Sequence, residues 1–146
     1  MNLVRLCIIG TVVFVVSGAL GTATASLMPA FVVISLVEFA LGTAAFAIAF
    51  VRAVDRSRTE AIGIGGLFFA SGSAPASVQR RFVVCLVVQV VASILFASLR
   101  LYTAMAFGVL APMWALGLTG MWTAAHGTFG PRTDPGPRAP RGGAVG

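Results

Sequence analysis

The sequence predicts an all-α, membrane-embedded bundle of four transmembrane helices, and three observations carry this prediction. Hydrophobic residues make up 58% of the chain and charged residues only 10%, whereas soluble domains carry roughly 25% charged residues. The apolar residues are gathered into runs long enough to cross a bilayer core, which takes about 20 residues of helix. The charged residues stand between those runs. A surface this poor in charge suits lipid better than water.

The four predicted spans are separated by helix breakers and charged turns. No charge occurs from Leu6 to Val37, a run too long for one span, and Pro29 divides it because proline disfavours helix in the residue before it. Arg100 marks a tight turn with a short outer loop, and Pro112 predicts a kink in the last span. The predicted transmembrane domain covers 1–126, with spans at about 4–25, 30–51, 82–99 and 102–122.

Each predicted helix has one face of small or polar residues, the kind of face through which membrane helices associate. We therefore expect these faces to point inward and Val, Leu and Phe to point toward lipid. In chain order, the faces are Gly10, Ser17, Gly21 and Thr24; Ile34, Glu38, Gly42, Ala45 and Ala49; Cys85, Gln89, Ser93 and Arg100; and Ala104, Gly108, Ala115 and Thr119.

Residues 52–81 form the longest loop, predicted to lie on the inner side, with charges at both ends and an uncharged middle. Its apolar part, Ala61 to Ala70, is far too short to cross a bilayer. We expect this part to lie on the membrane surface or against the bundle. The side chains expected to dip into lipid are Ile62, Ile64, Leu67, Phe68 and Phe69.

The arginines predict a protein of the cell membrane with both termini in the cytoplasm. With four spans and an inside N-terminus, nine of the ten basic residues fall on the inner side and only Arg100 falls outside. Such an excess of basic residues is typical of the cytoplasmic side. The tail 127–146 is rich in Pro, Gly and Arg, and it is predicted to be a disordered cytoplasmic segment.

A second interpretation of the first apolar run is a cleavable secretory signal. Arg5, the apolar stretch after it and Ala23-Thr24-Ala25 before Ser26 match such a signal. Cleavage would leave three spans and an outside N-terminus. We favour an uncleaved helix, because the apolar stretch is long for a signal and the second helix follows almost at once.

Glu38 is the one acidic residue well inside a predicted span. A charged side chain at the bilayer centre costs about 2.5–3.5 kcal/mol even on the lenient insertion scale, so Glu38 is a candidate for binding protons or a cation. The alternative is a structural carboxyl, either protonated or paired with Arg100 or Ser93. Gln89 and Ser93 are expected to form interhelical hydrogen bonds. The candidate intramembrane polar site is therefore Glu38, Gln89, Ser93 and Arg100.

No residue pattern indicates catalysis, so the chain is not predicted to be an enzyme, and no catalytic residue, cofactor or metal site is predicted. Nucleophile–base–acid sets, metalloprotease motifs and phosphate-loop signatures do not occur in the sequence. Cys7 and Cys85 lack metal-ligand spacing and are expected to be small buried hydrophobic residues. The arginines are scattered between apolar runs, so nucleic acid is not an expected partner.

The stretch RSRTEAIGIGGLFF at 56–69, with HGTF at 126–129, resembles small uncharacterised membrane proteins of actinobacteria. That resemblance implies a four-span protein of the cell membrane and brings no assigned function or site. In outline the chain is also similar to the small multidrug transporters, which have four short helices and one membrane-embedded glutamate. Their glutamate lies in the first helix, whereas Glu38 lies in the second.

Two functions remain open from the sequence. The first is a non-enzymatic accessory or scaffold subunit, whose partners would be the lipid bilayer and other membrane protein subunits or copies of itself. It fits the small helix faces and the arginine-rich tail. The alternative is a small proton- or cation-coupled transporter that uses Glu38.

Overall fold

A computed structural model of the chain describes residues 2–132, and these residues fold into helices, as the sequence predicts. Among them, four helical spans are long and apolar enough to cross a membrane, so the chain is a small multi-pass membrane protein. The helices are α1 Leu3–Ala23, α2 Met28–Arg56, α3 Ile64–Phe68, α4 Ala76–Leu99 and α5 Met113–His126, with 3₁₀ segments at Ala25–Leu27 and Ala104–Leu110.

The buried residues of α1 and α2 recur at spacings of three and four residues. This spacing is the one that keeps a single seam facing neighbouring helices. On α1 the seam is Val4, Cys7, Thr11, Phe14, Gly18 and Gly21, and on α2 it is Phe31, Ser35, Glu38, Gly42, Ala45, Ala49 and Ala53. The other sides of these helices carry exposed Val and Leu, as predicted. The prediction that Phe also faces lipid is wrong for Phe14 and Phe31, which are buried on the seams.

The last span lies at the centre of the bundle. Half of its most apolar stretch is buried, against 28% for each of the other three spans. α5 runs parallel to α2, and their backbones touch: a Cβ atom at Gly42 would collide with the backbone of Met113, and one at Gly117 with the carbonyl group of Gly42. Glycine on both helices therefore permits this close approach.

The two ends of the bundle differ strongly in charge. Arg100 lies at one end, in the turn after α4, and we name this the Arg100 end. The opposite end, which we name the arginine-rich end, is where α1 and α4 begin and α2 and α5 finish. It carries Arg5, Arg52, Arg56, Arg58, Arg80, Arg81 and Arg132.

Two helices are longer than predicted, and the fourth span is broken. α2 continues to Arg56 instead of ending near 51, and α4 begins at Ala76 instead of near 82. Tyr102, predicted to start the last span, lies in a turn with φ of 59° and a fully exposed side chain. A 3₁₀ segment follows, and Pro112 separates it from α5. The predicted kink at Pro112 is thus a change between two helix types.

The loop after α2 is packed against the bundle, and one part of its prediction is wrong. Leu67 and Phe68, expected to dip into lipid, are buried where α3 meets α2 and α5. The ring of Phe68 stacks on Phe46 at a centroid distance of 4.1 Å. Gly120 on α5 leaves the room that Phe68 fills, which is why burial inside the protein is possible. Ile64 and Phe69 are exposed and Ile62 is half-buried, and contact of these three side chains with lipid stays a prediction.

Arg56 ties this loop to the segment after α5. Its guanidinium donates to the carbonyl oxygens of Ala124 and Gly127, at 2.9 and 3.0 Å, and pairs with Glu60 at 2.7 Å. The same group lies over the ring of Phe129, 5.3 Å from its centroid. Residues 127–132, predicted to belong to a disordered tail, therefore fold back onto the loop. The rest of that predicted tail, 133–146, lies outside the described residues.

Candidate intramembrane polar site

Glu38 lies on the buried seam of α2, near the middle of the span. Ten residues separate it from the start of the helix at Met28, which corresponds to about 15 Å of helix, or half of a bilayer core of about 30 Å. The side chain is only 6% exposed. Its Oε2 atom is buried and has no hydrogen-bond partner among the described residues.

Gln89 and Trp114 bring further unpartnered polar atoms into the core. Gln89 on α4 is fully buried, and neither its Oε1 nor its Nε2 atom forms a hydrogen bond within the described residues. The indole Nε1 of Trp114 on α5 is likewise buried without a partner there. Its ring packs against Gly10 of α1, where a Cβ atom would collide with Nε1.

The register of the helices places these groups at about the same depth. α1 and α4 run parallel, with Gly18 facing the ring of Phe96 and the Thr22 carbonyl accepting from Arg100. Both contacts join residues 78 positions apart in the sequence, so Gln89 of α4 lies at the level of Thr11 of α1. On α1 and α2, which are antiparallel, Gly21 faces Met28 and Phe31, so Glu38 lies at the level of Thr11 as well. Trp114 follows Met113, whose backbone touches Gly42, one turn along α2 from Glu38.

Ser93 and Arg100 do not bond to Glu38, and both expected partnerships are therefore wrong. Ser93 is buried, but its hydroxyl donates to the carbonyl oxygen of Val90 at 2.8 Å. Arg100 donates through Nε and Nη2 to the carbonyl oxygen of Thr22, at 3.1 and 2.7 Å. A free carbonyl at the end of a helix attracts a cation, and Arg100 reaches it without entering the core.

An aromatic layer separates the polar groups from the Arg100 end. Phe14, Phe31 and Phe96 pack together with ring centroids 5.4, 5.9 and 6.2 Å apart. All three rings are buried, and Met105 from the 3₁₀ segment joins them. The half of the bundle toward the Arg100 end is therefore closed by apolar packing, and the polar groups lie next to this layer.

The buried groups offer hydrogen-bond donors and acceptors to a proton or a single small polar partner. Residues 2–132 contain no group of three or more His, Cys, Asp or Glu that could hold a metal ion. Glu38 supplies a carboxyl, Gln89 both a donor and an acceptor, and Trp114 a donor. A buried polar atom left without a hydrogen bond costs about 1–3 kcal/mol, so a hydrogen-bonding partner for these atoms would be stabilising.

Trp114 is the member of this site that the sequence prediction missed. The usual position for tryptophan in a membrane helix is the interface, where Trp122 was expected. The sequence did contain a signal for this role: a tryptophan stands close after Pro112 in the middle of a span, and a buried indole N–H normally needs a hydrogen-bond partner.

No protein-family model matches the chain, and no curated protein or solved structure shows significant similarity to it.

Proposed function

We propose that this chain is a non-enzymatic accessory or scaffold subunit of the cell membrane that binds another transmembrane helix, from a partner protein or from a second copy. The observation that carries the proposal is an outward-facing stripe of small residues on α2. Ala40, Thr43, Ala44 and Ala47 are all exposed and recur at helical spacing, on the side opposite the buried seam. Small residues let a second helix approach closely, which is the main route to association in lipid.

Thr43 adds a polar group to that stripe. Buried hydroxyls elsewhere in the spans donate to a carbonyl oxygen three or four residues before, as Ser93 does to Val90 and Thr119 does to Ala115. The hydroxyl of Thr43 makes no hydrogen bond within residues 2–132. A threonine hydroxyl facing lipid gains from a partner on an adjacent helix, and such bonds contribute about 0.6–2 kcal/mol in membranes.

Site-specific photo-crosslinking in intact membranes tests this proposal. A photoreactive residue at Ala44 should give a discrete cross-linked product, and the same residue at Val91, which is equally outward-facing on α4, should not. Ala44→Leu should abolish product formation by a crosslinker placed at Ala40. Equal labelling of positions 44 and 91, or no effect of Ala44→Leu, would count against a helix-binding role for α2.

A second candidate function, proton- or cation-coupled transport, is favoured by one specific observation. Glu38 is a mid-membrane carboxyl with an unpartnered buried oxygen, and Gln89 and Trp114 lie at its depth. Intramembrane carboxyls of this kind are typical of proton relays and ion pathways. In this function Glu38 would bind and release the coupling ion, and opening of the aromatic layer would connect it to the Arg100 end.

Glu38→Gln separates the two functions. In proteoliposomes loaded with a pH-sensitive dye, a transporter should conduct protons in response to an imposed gradient and lose that flux on Glu38→Gln while remaining folded. An accessory subunit should show no flux in either form. Ser35→Ala, one turn away on the same seam, is the matched control for disturbing α2 packing.

The arrangement of charge supports a cytoplasmic location for both termini. The arginine-rich end carries basic residues from both ends of the described chain, whereas the opposite end carries Arg100. Basic residues near membrane helices favour the cytoplasmic side, so we assign the arginine-rich end to the cytoplasm.

A further inference from the structure

A groove of about 610 Å³ opens between α1 and α4 at the arginine-rich half of the bundle. Its walls are apolar and outward-facing, formed by Ile8 and Val12 of α1 and by Val84 and Val88 of α4. The small side chains of Thr11 and Cys85 form its floor, where the two helices meet.

The mouth of the groove is polar and basic. Ser77, Arg80 and Arg81 stand at its end, in the first two turns of α4, where the helix leaves the membrane. From Ser77 to Val88 the groove follows eleven residues of α4, or about 17 Å, close to half of a bilayer core of about 30 Å. The groove thus spans one leaflet, with its charge at the water side and its apolar walls reaching the midplane.

The two arginines at the mouth have no partner within residues 2–132. Arg56, Arg100 and Arg132 each donate hydrogen bonds to the protein, through side chains that complete loops or helix ends. Arg80 and Arg81 are exposed and form neither a hydrogen bond nor an ion pair within the described chain. Neighbouring arginines at this position offer forked donors that match phosphate oxygens.

We propose that this groove binds one anionic membrane phospholipid. Arg80 and Arg81 hold the headgroup phosphate, Ser77 offers a hydroxyl beside it, and an acyl chain lies along the valine and isoleucine walls. A phospholipid matches both parts of the groove, because its anionic phosphate meets the two arginines and its acyl chain covers the apolar walls within one leaflet. This site is separate from the α2 stripe, and neither proposal depends on the other.

Native mass spectrometry of the full-length protein in mild detergent tests the site. Titration with phosphatidylglycerol should give one tightly bound lipid, and titration with phosphatidylcholine should give weaker and less selective binding. Arg80→Gln and Arg81→Gln should each lower the affinity for phosphatidylglycerol by roughly fivefold, the effect of one basic residue near anionic headgroups. The matched control is Arg52→Gln with Arg58→Gln, two exposed arginines of the same end that do not line the groove.

A second pair of variants tests the acyl-chain part. Val84→Trp fills the groove and should displace the lipid, whereas Val87→Trp lies on α4 outside it and should not. Both valines are about half exposed, so neither change disturbs the core. Equal losses from the two arginine pairs would show general surface attraction and overturn the site. Unchanged binding in Val84→Trp would show recognition of phosphate alone and would also overturn the lipid proposal.

Discussion

The guanidinium of Arg100 is held by the backbone carbonyl of Thr22, where α1 ends beside the end of α4. This contact explains why Arg100, the one basic residue of the described chain at its end of the bundle, stays out of the core. It joins the first span to the third, and Glu38 has no cationic partner within residues 2–132.

Arg100→Gln should lower the free energy of unfolding by about 1.5 kcal/mol, because charge-assisted hydrogen bonds contribute about 1.5–3 kcal/mol and this one is partly exposed. The effect should add to that of Glu38→Gln within about 0.5 kcal/mol, since the two side chains do not touch. Thermal unfolding of the two single variants and the double variant in detergent measures the loss caused by Arg100→Gln and its additivity with Glu38→Gln. A double variant clearly more stable than the sum predicts would reveal an ion pair after all.

Arg56→Gln should loosen the segment after α5 without unfolding the spans. The change removes donors to Ala124 and Gly127 and the pair with Glu60. Hydrogen exchange at the amides of Ala61 and Arg132, which bond to Gly130 and Thr59 across the loop, should become roughly tenfold faster.

Arg58→Gln is the control for that experiment, because Arg58 is exposed and makes no hydrogen bond within the described residues. If both variants accelerate exchange alike, loss of positive charge rather than loss of the Arg56 contacts would be the cause.

Gly42→Ala should destabilise the bundle by about 1–3 kcal/mol, the usual cost of overpacking, because the added methyl group meets the backbone of Met113 rather than a movable side chain. Gly63→Ala should have little effect, since nothing lies within 4 Å of the added atom. Thermal unfolding of both variants decides the matter, and comparable losses would contradict the close contact between α2 and α5.

Reporter fusions should place both ends of the chain on the cytoplasmic side. A fusion at the C-terminus should be active in a cytoplasmic reporter, and one inserted after Arg100 should be active only in an extracytoplasmic reporter. The reverse pattern would invert the assignment of the arginine-rich end.

The first helix should remain attached in the mature protein. α1 contributes to two core clusters, and its glycines fit against Trp114 and Phe96. Intact-mass measurement of the purified protein checks this expectation. A mass lacking residues 1–25 would show that the first run is a cleaved signal.

The number of spans and most of the inward faces could be predicted because lipid imposes length and polarity directly. Gly42, Ala45, Ala49, Gln89 and Ser93 are all buried, as expected from their size or polarity. The face of α1 was predicted less well. Ser17 and Thr24 are not buried, whereas Phe14 is, because Gly108 on the neighbouring segment leaves space for a ring. The small residues of one helix therefore do not reveal which of its large side chains is buried, because the space for that side chain comes from a small residue on the neighbouring segment.

The candidate site was predicted in part for a related reason. Glu38 and Gln89 were identified because a polar side chain in an apolar run is conspicuous. The hydrogen-bond partner of Arg100 could not be predicted, because it is the carbonyl of Thr22 at the end of α1. Only the packing of α4 beside α1 brings that carbonyl within reach of the guanidinium. Trp114 was missed because its N–H is a small polar part of a large apolar side chain.

The central position of α5 has a consequence for synthesis of the protein. It is the last of the described spans to leave the ribosome, yet Gly42 of α2 and the ring of Phe68 in α3 pack against it. Until α5 arrives, the parts of the earlier seams that it covers remain without their packing partner. Premature termination before Met113 would leave those seams permanently open to other helices.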